Sequence, residues 1–264
     1  MGPFAPEPLT IPAVPAPGTV VGRVAGLWRY PVKAMAAEPL DRAEVAWYGI
    51  AGDRRWGFTR DAAAATGFPW LTIRQRPDLV RYAARLVDRD RPDSTAVVVR
   101  TPAGDDVDVT DPALAGELGD GVRAIKLDRG AFDAAPLSVL TTGSLDALGK
   151  VAGGPLSAVR FRPNVLVATG PAAGAWPEDG WVGGTLAVGP VVLHVDRPDR
   201  RCVVVDVDPA TGWKEPGVLR AIARHHGGTF GTYAAPVRPG TVAVGDPVTV
   251  VSSPVPEPGP VGVP

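Results

Sequence analysis

Apolar residues fall at every second position in short runs along most of this chain, and turn residues separate the runs. Val20, Val21, Val24 and Leu27 lead through Trp28 toward Pro31, which stops a strand and keeps Tyr30 extended. Val45–Ile50 and the stretch opening at Trp56 and Phe58 follow, divided by a Gly52-Asp53 turn. Val80, Tyr82, Ala84 and Leu86 alternate, which favours a strand from Leu79, although a helix also accommodates them. Ala96–Arg100, Val107–Val109 and Val122–Leu127 complete a meander of short antiparallel strands. Further on, Leu137–Leu140, a Thr185–Val188 and Val191–Val195 hairpin around Gly189-Pro190, Cys202–Val207, Phe230–Tyr233 and Gly240–Val248 all read as strands. Three helices interrupt this pattern. One starts at Asp111-Pro112 and ends at Gly119; one shows a face of Leu145, Leu148 and Val151; one presents Val218, Leu219 and Ile222 and closes at Gly227-Gly228.

The two ends fall outside this pattern. Residues 1–18 hold six prolines and the segment from Ser252 onward holds five, so both are expected to be flexible, extended tails. The 264 residues allow one large domain or two small ones, and a hydrophobic fraction of 45% predicts a folded globule. With 27 Lys and Arg against 28 Asp and Glu, the net charge of −1 offers no general basic field for nucleic acid. No apolar run approaches bilayer length, and the first residues lack the charged and apolar regions of a secretory signal. No membrane partner is expected, therefore, and the cytoplasm is the expected compartment. The single cysteine excludes an internal disulfide and any iron–sulfur cluster held by several cysteines of this chain.

Candidate chemistry gathers around that cysteine. Arg200 and Arg201 precede Cys202, and an Asp208-Pro209-Ala210-Thr211-Gly212 turn follows. Positive charge beside a thiol favours the thiolate, the form that ligates metals and attacks electrophiles. A lone cysteine is, in the plainer case, a small buried hydrophobe. Elsewhere, Lys33 projects from a loop after Pro31 and could equally be a solvated lysine. Arg54 could bind an anion through its fork or simply pair with Asp53. Thr141, Thr142, Gly143 and Ser144 form a hydroxyl-rich turn into a helix, suited either to an anion or to simple capping. Arg160 and Arg162 are expected on one face of a strand, with Asn164 beyond them, an arrangement suited to a phosphate or a pterin edge. His194 is read as a satisfied strand histidine, and His225-His226 as dipole partners at a helix end.

Several of these segments resemble, in family order, motifs of the MOSC family, named for the C-terminal part of molybdenum cofactor sulfurase. They are Tyr30-Pro31-Val32-Lys33, Gly52-Asp53-Arg54-x-Trp56, Thr72-x-Arg74-Gln75-x-Pro77, Phe161-Arg162-Pro163-Asn164, Glu178-Asp179-x-Trp181, Arg201-Cys202 with Val207-Asp208-Pro209-x-Thr211-Gly212, and Gly240-x-Val242-x-Val244-Gly245-Asp246-x-Val248. The resemblance implies an α+β, β-rich fold: a flexible tail over 1–18, an N-terminal MOSC region over 19–128, a MOSC β-barrel domain over 129–251, and a second tail over 252–264. It also implies a molybdenum cofactor (molybdopterin) lying between the two parts. Cys202 would be its metal ligand, and Lys33, Arg54, Thr141, Thr142, Ser144, Arg162, Asn164 and Arg201 would be its binding residues. Pyridoxal phosphate binding is a further association of the family. The segment over 175–181 would cover the site or pack beside it. Two departures stand out: Ala34 replaces a usual serine, and Val205 and Asp206 stand where relatives often carry two threonines. Asp206, if it faces the pocket, would handle protons as a catalytic group.

These expectations converge on a molybdenum oxidoreductase that reduces N-hydroxylated or N-oxide small molecules. The sequence has no Gly-x-Gly-x-x-Gly fingerprint and no cysteine cluster, so electrons would come from a separate flavin or iron–sulfur donor. Two alternatives stay open: a sulfur carrier using a Cys202 persulfide, and a non-catalytic carrier of the cofactor.

Overall fold

A computed structural model describes residues 15–60 and 68–253. The expected tails lie almost entirely outside these described residues. In chain order come β1 (Val20–Arg29), β2 (Glu38–Leu40), β3 (Arg42–Ala46), β4 (Gly49–Ile50), β5 (Trp56–Arg60), β6 (Ala83–Leu86), β7 (Val97–Arg100), β8 (Asp106–Asp108), α1 (Pro112–Leu118), β9 (Val122–Lys126), β10 (Leu137–Thr141) and α2 (Thr142–Ala152). They are followed by β11 (Val165–Ala168), β12 (Thr185–Val188), β13 (Val191–Arg200), α3 (Val218–His226), β14 (Thr229–Arg238), β15 (Gly240–Ala243) and β16 (Pro247–Ser252). The fold is α+β and strand-rich, as expected.

Seven strands close into a barrel in the order β1-β11-β10-β14-β13-β12-β16, with β16 returning to β1. Closure removes the unpaired edges that an open sheet would present. Every pairing is antiparallel except β10 with β11, whose parallel register requires a crossover, and α2 supplies it. Alternation along the strands turns Val24, Leu27, Val139, Val165, Val167, Leu186, Leu193, Val195, Val248 and Val250 inward, and Trp181 joins them.

Two further apolar clusters flank the barrel. Phe58, Leu71, Tyr82, Leu86, Val99, Leu114 and Leu118 form the centre of a smaller body built from β5–β9 and α1. Leu148, Phe161, Ile222 and Phe230 pack α2 and α3 against the barrel wall. The two parts of the chain share their sheets. β1 is a barrel strand, and β15 leaves the C-terminal half to pair with β3.

Local structure departs from sequence pattern at three places. The run after Cys202 is a 3₁₀ turn over Val203–Asp206 and not a strand, despite its four β-favouring positions. β13 already runs ten residues and ends at Arg200, so no neighbouring edge remains to pair with. The turn is instead a wedge: Val205 enters the helix-side cluster, while Val204 and Val207 pack on the smaller body. Likewise Ala158–Phe161 is a 3₁₀ turn, and Arg162 follows it in a left-handed conformation with φ 56°. Arg160 and Arg162 therefore do not share a strand face. Leu79 also belongs to a 3₁₀ turn, Pro77–Arg81, and the alternating strand starts only at Ala83.

Several glycines in the barrel have no room for a side chain. Gly231, in β14, sits at φ 76°, and a Cβ there would lie 2.8 Å from the Val139 carbonyl oxygen. Gly231→Ala is expected to lower stability by more than about 1 kcal/mol, read as a lower urea midpoint at unchanged m-value.

Candidate functional site

Where the smaller body meets the barrel, a cavity of about 430 Å³ opens. Its wall includes Lys33 from the loop after β1, Arg54 from the turn before β5, Arg74 and Gln75, Arg160, Arg162 and Asn164 ahead of β11, and Arg201 and Cys202 after β13. Seven of its lining side chains are cationic and two, Asp133 and Asp199, are carboxylates. Six of the residues singled out in the sequence, Lys33, Arg54, Arg162, Asn164, Arg201 and Cys202, are thus brought together from across about two thirds of the chain's length.

The floor is organised by Asp53, whose side chain is completely buried. One of its oxygens accepts the Tyr30 N–H at 2.7 Å. The other accepts from Arg54 and, at 3.2 Å, from Asn164 Nδ2. Asn164 Oδ1 in turn accepts the Ser138 N–H at 3.2 Å, tying this floor to β10. The guanidiniums of Arg162 and Arg54 lie over the ring of Tyr30, 4.2 Å and 4.6 Å from its centroid. Its hydroxyl donates to the Pro163 carbonyl at 3.1 Å. Burial pushes the Tyr30 phenol up to about 12, so it stays protonated.

Arg162 is the least satisfied cation. Its Nη1 donates to the Met35 carbonyl at 2.8 Å, but its Nη2 is buried without an acceptor. Burial, reinforced by the neighbouring Arg54, pulls its pKa down to about 10. Lys33 donates to the Ala131 carbonyl at 2.7 Å and pairs with Asp133 at 2.5 Å. Burial still holds its pKa below the ordinary lysine value.

Cys202 is a free, half-buried thiol. Arg74 hydrogen-bonds its sulfur, and that contact raises the arginine's own pKa. Arg201, expected to face a ligand, has its donors engaged elsewhere. Nε reaches the Phe230 carbonyl at 2.7 Å, Nη1 the Phe161 carbonyl at 2.8 Å, and Nη2 lies 2.8 Å from the buried Asp199 carboxylate. It anchors the backbone on both sides of the thiol. Arg160 anchors the loop beyond, with Nη1 on the Val205 carbonyl and Nη2 on Asp208 and Glu215.

Four of the sequence-selected residues are not part of the cavity wall. Thr141 caps α2 through the Ser144 N–H, and the hydroxyls of Thr141 and Ser144 both donate at 2.6 Å to one oxygen of the buried Glu178. Thr142 accepts the Thr169 N–H. This helix start is capped from within, by a carboxylate that burial holds above its ordinary pKa. Asp206 turns away as well. Its Oδ1 accepts the N–H groups of Gly217 and Leu219 at 3.3 and 2.9 Å, which caps α3, whose own N-cap residue, Gly217, has no side chain to do so. The 175–181 segment does not cover the cavity. Trp176 stacks on His226 at 4.3 Å, and Asp179 pairs with His226 Nε2 at 2.6 Å. Conversely, Arg74, Asp199 and Tyr233 line the cavity without having been singled out. Only Arg74 had a signal, its place in the Thr-x-Arg-Gln-x-Pro motif.

These features accord with the comparisons. The model of the MOSC N-terminal beta barrel domain matches residues 21–134, and that of the MOSC domain matches residues 126–249. Human mitochondrial amidoxime-reducing component 1 is 27% identical over 297 aligned positions, covering 86% of this chain and 82% of that protein. The mouse protein of the same name is 34% identical over 131 positions, covering 44% of this chain and only 36% of the mouse protein. Among solved structures, the YUAD protein from Bacillus subtilis superposes with a TM-score of 0.50 at 15% identity, covering 89% of this chain and 97% of that one.

Two outcomes follow from the geometry. Asp53→Ala leaves Arg54 without its buried partner and is expected to cost roughly 3–5 kcal/mol, measured by urea unfolding. His226 has its pKa raised above the ordinary 6.5: burial opposes this, but Asp179 and the Thr229 carbonyl outweigh it. A raised folded-state value means that the pair's stabilisation is complete below the unfolded value and fades as pH climbs through the folded one. His226→Gln should therefore flatten the fall in stability across that window, measured by unfolding midpoints at several pH values.

Proposed function

The chain belongs to the MOSC domain family, and from that premise we propose that the cationic cavity holds a molybdenum cofactor through Cys202 and reduces N-hydroxylated small molecules beside it. The observation that carries this reading is the pairing of one open thiol with an excess of buried cation. A soft thiolate suits molybdenum, and metal binding removes its proton outright. The buried Arg162 Nη2, with no protein acceptor, fits an anionic group such as the cofactor's phosphate. Arg54, held to the same tyrosine ring, adds charge beside it.

When bound, the cofactor would supply two-electron redox chemistry at its metal. The chain's own residues would bind and orient. Lys33 and Arg162 would neutralise anionic charge in the interior. Arg74, exposed and beside Cys202 in the cavity wall, would add positive charge next to the ligating sulfur. Arg201, through the Phe161 and Phe230 carbonyls, and Arg160, through its two terminal nitrogens, would fix the loop that carries Cys202, so that the sulfur is pre-positioned. Among the described residues no group of three or more His, Cys, Asp or Glu is placed to hold a metal. In this reading electrons come from a separate flavin or iron–sulfur donor.

The same open thiol beside Arg74 also supports a second reading, in which Cys202 carries a persulfide to an acceptor with no metal bound. Molybdenum and pterin content of the full chain, made in a cofactor-competent cell, separates the two. The expected result is near-stoichiometric metal in the wild type and at least about a tenfold loss in Cys202→Ser, with Arg162→Leu intermediate. The metal-loaded wild type should reduce hydroxylamine-type substrates from a reduced dye. Wild-type protein free of molybdenum and pterin, with a persulfide mass on Cys202 after treatment with a cysteine desulfurase, would replace the first reading with the second.

A further inference from the structure

A second cavity, of about 280 Å³, lies on the other side of the cationic cavity's wall. The partition between them is Ile73, Arg160, Arg162 and Val204, which line both. The rest of the second cavity is apolar: Trp28, Ala36, Ala37, Pro39, Val80, Val159, Val207 and Pro209. Elements of the smaller body supply one side and the Cys202 loop the other. Its volume is just below the ~300–1,000 Å³ of ordinary small-molecule sites, which selects a compact ligand over an extended one.

One polar feature distinguishes it from a packing defect. Arg160 is 7% exposed and uses both terminal nitrogens on protein acceptors, but its Nε is buried with no acceptor at all. A buried donor of this kind is expected to meet a partner. The local charges then decide what kind. Arg160 and Arg162 contribute two positive charges to the wall, and Asp208 and Glu215, both paired to Arg160, contribute two negative ones. The surroundings are balanced, so a charged ligand would lose its hydration with no net attraction in return. A neutral ligand would not.

We propose that this second cavity is a binding site for a compact, uncharged, ring-bearing or branched molecule that carries one hydrogen-bond acceptor, such as an aromatic amide or ketone. Its acceptor would meet Arg160 Nε and its apolar body would lie against Trp28 and Val159. The site does not depend on molybdenum or on turnover. It shares a wall with the cationic cavity, Arg160 included, but does not use Lys33, Arg162 Nη2 or Cys202.

Benzamide, titrated into the cofactor-free full chain labelled with 5-fluorotryptophan, tests this directly. The Trp28 signal, one of seven, is assigned from the Trp28→Phe variant. It should move and saturate with benzamide, while benzoate, the same shape with a negative charge, binds at least about tenfold more weakly. Ala37→Phe, which fills the apolar side, should weaken benzamide binding by about tenfold or more while Cys202 still reacts with an uncharged alkylating reagent at the wild-type rate. A Trp28 signal unmoved at about 10 mM benzamide overturns the proposal. So does a shift that survives Ala37→Phe, or benzoate binding the more tightly and being displaced by phosphate, since the ligand would then sit in the cationic cavity. If wild-type protein proves to lack molybdenum while benzamide binds as described, the cofactor reading fails and this site stands.

Discussion

Two guanidiniums resting against one buried tyrosine ring set the terms for the rest of this molecule. Arg54 and Arg162 would repel one another strongly at this separation in a medium of low dielectric. Tyr30 offers each of them a π face, and Asp53 beneath neutralises one of them. Both arginines have left-handed backbone conformations, φ 50° and 56°, which side-chain-bearing residues adopt at a cost. That cost is sustained because the Tyr30 N–H and hydroxyl, the Asp53 carboxylate and Asn164 lock the two turns to one another. The outcome is positive charge concentrated where the barrel and the smaller body meet, with one donor left over.

The thiol is positioned by the same kind of device. Cys202 is not in a strand, so no ladder of backbone hydrogen bonds holds it. Two arginines do that work from opposite sides: Arg201 reaches across to β14 and to the turn before β11, and Arg160 reaches forward to Val205 and the Asp208 turn. The apolar residues of the loop then point into two different clusters. A segment fixed at several points in this way keeps its sulfur in place with or without a bound partner, which is the condition for a preorganised ligand.

How much of this could be seen in the residues differs by level. Most strands of the barrel, the three helices and their caps at Asp111, Gly119 and Gly227 were legible, because period and turn chemistry act locally; Val165–Ala168 was not, and Gly240–Val248 divides between two strands in different sheets. The valine run after Cys202 misled for a physical reason. β-branched residues favour strands only where an edge is available, and burial on two sides overrides the propensity. The cationic residues that gather at the cavity were recognisable by motif, but what each one bonds to was not. Nothing local distinguishes Arg162, whose Nη2 meets no protein carboxylate, from Arg201, whose Nη2 lies against Asp199. The Thr141–Ser144 turn looked equally able to bind an anion, until Glu178, more than thirty residues away, proved to occupy it.

The departures from the family pattern can now be placed physically. Ala34 sits at φ 70° with 6% exposure beside Lys33, so the backbone there is already strained and a hydroxyl is absent from the cavity wall. Val205 contributes an apolar surface to that wall and its other contacts to the helix-side cluster. Asp206 uses its carboxylate on the start of α3, a task made necessary by Gly217. The loop following the thiol therefore presents neither a hydroxyl nor a free carboxylate to the cavity. Polar contact with anything bound there passes to Lys33, Arg74 and Arg162, and two of these three come from the N-terminal part of the chain. A site built this way cannot be complete in the barrel alone, which accounts for the exchange of β1 and β15 between the two parts: the strands that join them also hold the two walls of the cavity at a fixed distance.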